Sequence, residues 1–367
     1  MQLDVPPPEG RDGEARLRGV VEGRLLAGPE TLQLNLQDAC NLRCVFCWSH
    51  SPLRPPLPST PRERLSDEHL RRVLEALPRL RPGRVVLSGR GEPLLHPGAR
   101  ALLRALQREH VPATIQTNGT AGLPPEELVE LGVARLTVNV SAATAAGYAR
   151  VHPGQGELRE LLLHRLRRLA TLRDRGTQAP ELVLVAVIQR ANADELVPLV
   201  ELAGEVGARR VVLKGMELAE GLEPLLLDDA QRDAACHELE RARRRSVGFG
   251  VELGAAHLER VLQRPGEAPG VFTPDLERGP CYMGWYYLRV ASDGQVMFCC
   301  KDKRVGHLDE RGLYESWRSP VYQLQRLAGR DRDATAGLFD AKCRACSNFE
   351  RNAEIGKSIV DRGGFPD

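Results

Sequence analysis

The 367-residue sequence predicts an α/β protein, a partial (β/α)6 TIM-like barrel followed by a smaller C-terminal α+β domain. Three observations predict it. Short apolar runs of strand length alternate with amphipathic segments of helix length across residues 30–225. Polar side chains with chemical potential (Cys40, Glu92, Asn118, Ser141 and Lys214) fall at or just after the ends of those runs, the face where such barrels carry their chemistry. After about residue 225 the rhythm breaks, and from 281 the composition changes: five of the six tyrosines and two of the three tryptophans lie there, among cysteines.

Taken in order, residues 1–29 are rich in Pro, Gly and charge and read as a loosely held lead-in. Thr31–Gln37 is a strand running into Cys40, and residues 50–65 form a Pro/Arg/Ser-rich loop. Ser66 caps a helix whose stripe is Leu70, Val73, Leu74 and Leu77. Strands follow at Arg84–Gly89, Ala113–Thr117, Arg135–Ser141, Leu182–Ile188 and Arg209–Lys214. Between them lie helices at 98–110, near Pro124-Pro125, at 156–175 and at 193–206. Strands apolar on both faces with helical crossovers imply a parallel sheet. Residues 226–280 connect, with a helix at 228–245 carrying Cys236 and a further strand at 249–253. In the last segment, 281–367, Tyr286–Val290, the turn Ser292-Asp293-Gly294 and Gln295–Phe298 read as a hairpin.

The formal charge of +2 calls for neither nucleic acid nor an anionic membrane as partner. No apolar run is long enough to span a bilayer and no signal-peptide core opens the chain, so a cytoplasmic protein is expected. In a reducing compartment clustered cysteines are read as ligands or catalytic thiols. The nine fall into Cys40, Cys44 and Cys47, a lone Cys236, and Cys281, Cys299, Cys300, Cys343 and Cys346. Two separate sites are expected.

Cys40-x3-Cys44-x2-Cys47 places three soft thiolates on a loop leaving a strand. With three protein ligands, a four-iron cluster keeps one iron open to an exogenous donor. That spacing, with Phe46 before the last cysteine, resembles the radical S-adenosylmethionine superfamily. Gly89-Arg90-Gly91-Glu92-Pro93 is similar to the family's Gly-Gly-Glu-Pro motif, with Arg90 in place of the second glycine. Asn118, in Thr117-Asn118-Gly119, and Ser141 end the third and fourth strands where family members carry polar residues. The resemblance implies a catalytic [4Fe-4S] cluster on the trio. It also implies S-adenosylmethionine held by Phe46, Gly89, Gly91, Glu92, Asn118 and Ser141, with an adenine contact in 187–192. A reductase, flavodoxin or ferredoxin would supply electrons. The alternative reading of the trio is zinc completed by His50, and Gly89–Pro93 read alone is a turn.

Cys281, Gly294-x4-Cys299 and Cys343-x2-Cys346 resemble the auxiliary-cluster domain of that superfamily, in its shorter "twitch" rather than its full SPASM form. One auxiliary [4Fe-4S] cluster is implied, on Cys281, Cys299, Cys343 and Cys346. The order of Cys299 and Cys300 is open from sequence, with Cys299 preferred for its distance from Gly294. Structural zinc is the competing reading. Cys236 is a candidate hydrogen-atom donor or an inert helical thiol, and Tyr282, Trp285, Tyr286 and Tyr287 line a pocket or simply pack.

The activity expected from these features is oxidation or epimerisation of a carbohydrate-like or aminocyclitol small molecule. Radical modification of a ribosomally made peptide is the alternative, disfavoured by a lead-in shorter than a leader-binding domain. A non-catalytic metal-binding or redox-relay protein is the third reading. The molybdenum-cofactor cyclases differ in auxiliary-ligand spacing and end in Gly-Gly, whereas Gly363-Gly364 here precedes Phe365-Pro366-Asp367.

Overall fold

The computed structural model describes residues 12–54, 63–216, 218–263, 279–300, 303–331, 343, 346 and 348–363. Residues 264–278 of the connecting stretch, part of the loop at 50–65, the first eleven residues and the Phe365-Pro366-Asp367 tail lie outside the described residues. The strands are β1 Thr31–Asn35, β2 Arg84–Ser88, β3 Ala113–Thr117, β4 Arg135–Asn139, β5 Glu181–Ile188, β6 Arg210–Gly215, β7 Glu252–Gly254, β8 Tyr287–Val290, β9 Gln295–Met297 and β10 Arg304–His307. Helices α1 Gly13–Glu22, α2 Asp67–Leu80, α3 Ala99–Arg108, α4 Pro125–Glu130, α5 Ala145–Val151, α6 Leu158–Asp174, α7 Leu196–Glu205, α8 Asp229–Phe249 and α9 Ala256–Gln263 alternate with the first seven strands. Helices α10 Met283–Tyr286, α11 Leu313–Trp317, α12 Pro320–Arg330 and α13 Phe349–Val360 surround the last three.

One sheet contains all ten strands, in the order β10-β9-β8-β1-β2-β3-β4-β5-β6-β7. From β8 through β7 every neighbouring pair is parallel, and β8-β9-β10 turn antiparallel at one edge. The six expected units are present. The sheet runs further than the sequence suggested: β7 joins β6, and β8 of the cysteine-rich segment pairs with β1. The hairpin is therefore an extension of the barrel wall.

Alternation along each strand sorts the two faces. Leu32, Leu34, Val85, Leu87, Ile115, Leu136, Val138, Leu184 and Val211 pack in the main core with Val73 and Leu77 of α2 and Leu102, Leu103 and Leu106 of α3. Gln33, Asn35, Ser88, Gln116 and Asn139 take the alternate positions on the other face. Val183, Val185 and Val212 form a small apolar patch at the β5–β6 side of that face.

The expectation of a loose lead-in is corrected. Residues 13–22 are helix α1, whose Leu17 and Val20 pack with Tyr282, Met283, Trp285, Tyr286, Tyr287, Ile355 and Ile359. Arg16 is buried and its guanidinium donates to Gly28 O (2.7 Å). Trp285 Nε1 donates to Arg24 O (2.9 Å) and Trp317 Nε1 to Ala27 O (3.3 Å). The partners that order this segment lie at the opposite end of the chain, which is why local composition misread it. The aromatic run at 282–287 is packing, as its burial in this cluster shows.

Candidate active site and auxiliary cysteine site

The cysteine loop leaves β1 at the C-terminal edge of the sheet and is held from three sides. From β2, Gly91 N donates to Gln37 O (3.2 Å), Glu92 N to Ala39 O (2.9 Å), and Gln37 Nε2 to Glu92 O (2.7 Å). A Cβ on Gly91 would stand 2.1 Å from Ala39 O, so only glycine permits this approach. Gly89 has φ 151°, a conformation that glycine alone adopts readily. Arg90, in place of a glycine, reaches outward with its guanidinium 5.0 Å over the half-exposed Trp48 ring.

From β3, Asn118 Nδ2 donates to Asn41 Oδ1 (2.9 Å) and lies 3.8 Å from Cys40 Sγ. Glu92 is buried beneath this junction. Its carboxylate accepts from Asn118 N (2.8 Å), Thr117 Oγ1 (2.8 Å) and Leu94 N (3.1 Å). From the α5 side, Val45 N donates to Val151 O (3.0 Å). Gln155 clamps the loop from both directions, accepting from Arg43 N (2.9 Å) and donating to Asn41 O (2.8 Å). Sequence reasoning missed Gln155, because nothing local marks a glutamine in a post-helix turn as a partner of a loop 112 residues away.

The three thiols face a low-dielectric surround. Burial pushes Cys40 up to about 11, raises Cys44 well above the ordinary thiol value, and raises Cys47. Two backbone N–H groups point at sulfur, Leu42 N at Cys40 (3.5 Å) and His50 N at Cys47 (3.3 Å). Such a donor set becomes thiolate when a cationic centre compensates it, which is the chemistry iron provides. His50, the residue that would complete a zinc site, turns Nε2 to Arg90 O (3.1 Å). The residues present fit a three-thiolate cluster.

Two expectations change at this face. Ser141 is fully buried; its hydroxyl donates to Asn139 Oδ1 (3.1 Å) and accepts from Val187 N (3.1 Å). It ties the ends of β4 and β5 together instead of presenting itself to a ligand. Asn192, also buried, donates to Ser141 O and Val187 O and completes that junction. Phe46 is half-buried between the main core and a cluster of Val45, Val187, Met216 and Leu222. The second change concerns Cys236, which is exposed on α8 in the outer helical layer, whose buried positions are Ala235, Leu239, Ala242 and Ser246. It does not face the strand ends, so its expected place as a hydrogen donor is corrected.

At the other site, Cys281 is anchored by its N–H to Gly329 O (2.8 Å), and Asn352 holds the flanking backbone at Pro280 O and Tyr282 N. Burial pushes the Cys281 thiol up to about 11, with Cys343 and Cys300 adding in the same direction. Cys346 is raised by a hydrogen bond with Cys300, then by burial and by the charges of Cys300 and Cys281. Asn348 Nδ2 approaches Cys300 Sγ at 3.6 Å. Cys300 therefore lies beside Cys346 and Cys281, while Cys299 also touches the main core. The sequence preferred Cys299; in this structure Cys300 is the one hydrogen-bonded to Cys346. Phe298 N donates to Lys303 O (2.7 Å), so the chain turns here and the strand alternation that a spacing from Gly294 relies on is broken.

Comparisons with known proteins bear on both sites. Residues 34–203 match the radical SAM superfamily model, and residues 281–347 match the SPASM iron–sulfur cluster-binding domain. The chain carries a radical SAM domain followed by a SPASM-type domain. It is 28% identical over 287 residues to a GTP 3′,8-cyclase of Xanthomonas axonopodis pv. citri, covering 73% of this chain and 79% of the relative. It is 24% identical over 329 residues to a PqqA peptide cyclase of Xanthomonas campestris pv. campestris, covering 88% and 80%. The crystal structure of Streptococcus suis SuiB bound to S-adenosylmethionine superposes with TM-score 0.59 at 15% identity, over 97% of this chain and 80% of that one. The fold is that of a radical SAM enzyme carrying a SPASM-type domain, whose cofactors are S-adenosylmethionine, a catalytic [4Fe-4S] cluster and auxiliary iron–sulfur. No helix among the described residues is long and apolar enough to cross a membrane.

Glu92 yields a pH test. Burial pushes its carboxyl up to about 7, outweighing the three donors that favour the charged form. Between the unfolded value near 4.5 and this one the folded state holds the extra proton, so Glu92 lowers stability as pH rises through that window. Urea unfolding without S-adenosylmethionine is expected to give a wild-type stability that falls from pH 4.5 to 7 relative to Glu92→Gln, by about 1.4 kcal/mol for each pH unit crossed. Parallel pH profiles for the two proteins would contradict this.

Proposed function

We propose that this enzyme abstracts hydrogen from a carbohydrate-like or aminocyclitol small molecule, and that oxidation is its outcome. When bound, the catalytic cluster and S-adenosylmethionine supply a 5′-deoxyadenosyl radical that takes a hydrogen atom from substrate, while an auxiliary cluster offers a one-electron acceptor. Cys40, Cys44 and Cys47 hold the first cluster with one iron open. Gly89, Gly91 and Glu92 form, with Phe46 and Asn118, the wall against which S-adenosylmethionine lies. Ser141 supports that wall from behind. Cys281, Cys300, Cys343 and Cys346 hold one auxiliary cluster. A flavodoxin-, ferredoxin- or reductase-type protein supplies the electrons.

The observation that carries the substrate class is the composition of the sheet's inner face. Gln33, Asn35, Ser88, Gln116 and Asn139 alternate with the helix-facing leucines and valines toward the end of the sheet that bears the cysteine loop. Gln33 donates to Asn35 Oδ1 (3.0 Å) and accepts from the Tyr287 hydroxyl. Amides and hydroxyls in such a row suit a substrate dense in hydroxyl and amino groups. The outward position of Cys236 favours oxidation over epimerisation, since the epimerase reading loses its hydrogen-donor candidate. Full four-cysteine ligation of the auxiliary cluster, with no iron left for substrate, fits an electron acceptor.

A second reading, radical modification of a peptide, draws on the likeness to a PqqA peptide cyclase over 88% of the chain. Deuterium-labelled sugars and aminocyclitols, and labelled candidate peptides, supplied with S-adenosylmethionine and reductant separate the two. Deuterium entering 5′-deoxyadenosine from a small molecule is the expected result. Transfer from a peptide alone would replace this proposal with the second reading.

The auxiliary ligands are tested separately by iron content after anaerobic reconstitution. Cys299→Ala is expected to keep about eight irons per chain, and Cys300→Ala to fall toward about four. The reverse pattern would restore Cys299 as ligand.

A further inference from the structure

Outside both cysteine sites, His69, His307 and Asp309 converge, one ligand atom from each lying within 4.8 Å of the others. His69 stands in the first turn of α2, after the Ser66 cap, and His307 ends β10. Asp309 follows in a tight turn whose Leu308 N–H bonds Gly294 O (2.9 Å) and whose Leu308 carbonyl accepts from Arg72. His69 Nε2 is 3.0 Å from Asp309 Oδ1, and His307 Nδ1 is 3.5 Å from Asp309 Oδ2. The two rings meet edge to face at 5.8 Å. We propose that His69, His307 and Asp309 bind a divalent transition-metal ion, with zinc the best-suited occupant, joining α2 to the β9–β10 hairpin.

Three observations support it. First, the spacing is that of ligands around a shared ion: metal–ligand bonds of zinc length at a tetrahedral angle separate neighbouring donor atoms by about 3.3 Å. Second, His307 is already in the binding tautomer. Its Nε2 faces Asp293 O at 2.9 Å, a group that can only accept, so Nε2 carries the proton; the Nδ1 lone pair accepts from Asp309 N (3.1 Å), a bond that an ion bound there would replace. A ring nitrogen donated to a backbone carbonyl behind the ligating one is the usual support of a metal-bound histidine. Third, glycine at 294 lets the two rings close on each other: a Cβ there would stand 2.6 Å from His69 Cε1, 2.9 Å from His69 Nε2 and 3.1 Å from His307 Cε1, and Gly294 has φ 88°.

Imidazole nitrogen with carboxylate oxygen suits zinc and its first-row neighbours better than calcium or magnesium. Asp309 is largely exposed, which gives the ion an entry path and leaves a further coordination position to water. The site also has a line to the catalytic loop. In the hairpin turn, Ser292 Oγ donates to Asp38 Oδ1 (2.8 Å), two residues ahead of Cys40. An ion between α2 and the hairpin would therefore brace the turn on which that contact depends.

The test uses the full chain with its iron–sulfur clusters reconstituted, so that the cysteines are occupied, and zinc itself as the probe. Zinc titration by calorimetry, metal analysis after desalting and zinc-edge X-ray absorption are run on wild type, Asp309→Asn and His307→Gln. Iron content serves as the control for folding in each. The expected result is one retained zinc in wild type with nitrogen and oxygen ligands only, and affinity lower by about tenfold or more in each variant at unchanged iron content. No retained zinc in wild type, equal affinity in all three proteins, or sulfur in the zinc coordination sphere would each overturn the proposal.

Discussion

The candidate active site depends on the zipper between Gly89–Glu92 and the stretch Gln37–Ala39. Three backbone and side-chain hydrogen bonds draw the end of β2 against the chain entering the cysteine loop. The approach is close enough that one methyl group on Gly91 would collide with Ala39. Glu92 then turns inward and gathers Thr117 and Asn118 from the next strand. Strand ends that parallel pairing places side by side are thus locked into one surface, and Cys40 sits at its centre. The family's glycine-rich motif acts here through geometry of approach, so Arg90 is accommodated: its side chain leaves the junction and rests over Trp48.

Electrostatics explains why the two cysteine sites look unfinished as bare protein. In both, burial raises the thiols, and neighbouring thiols raise them further. The charge of Arg54 works the other way at Cys47, yet burial there still outweighs it. Thiols buried in this balance depend on metal for their compensation. The sites differ in how the fold supplies them. One is a single continuous loop gripped from its flanks. The other brings together cysteines from separate segments, with Cys281 held to Gly329 of α12 and packed in a cluster that includes Leu17 and Val20 of α1 and Ile355 and Ile359 of α13.

The barrel rhythm and the cysteine trio were legible because their signals are local: period-two strands, a capping serine at Ser66, and three thiols within eight residues. The strands at Ala113–Thr117 and Leu182–Ile188 lie almost where alternation places them. What escaped was held by distant partners. Helix α1 is ordered by Trp285 and a C-terminal helix, and Gln155 by a loop on the far side of α5. The order of Cys299 and Cys300 is blurred in the sequence by the break in alternation after Phe298. Ser141 was correctly placed at a strand end, yet its hydroxyl serves the neighbouring strand, a distinction that needs three-dimensional burial. Cys236 shows the same limit, since helical phase alone leaves its face to be set by the packing of α8.

The central claim is that the loop of Cys40, Cys44 and Cys47 carries a cluster that cleaves S-adenosylmethionine. The most direct measurement is 5′-deoxyadenosine formation by anaerobically reconstituted, chemically reduced protein, with iron counted in the same samples, for wild type and a Cys40/Cys44/Cys47→Ala variant. The account predicts formation by wild type, its loss in the variant, and about four irons remaining at the auxiliary site. Formation that survives removal of the trio, or zinc in place of iron in the wild-type protein, would contradict it.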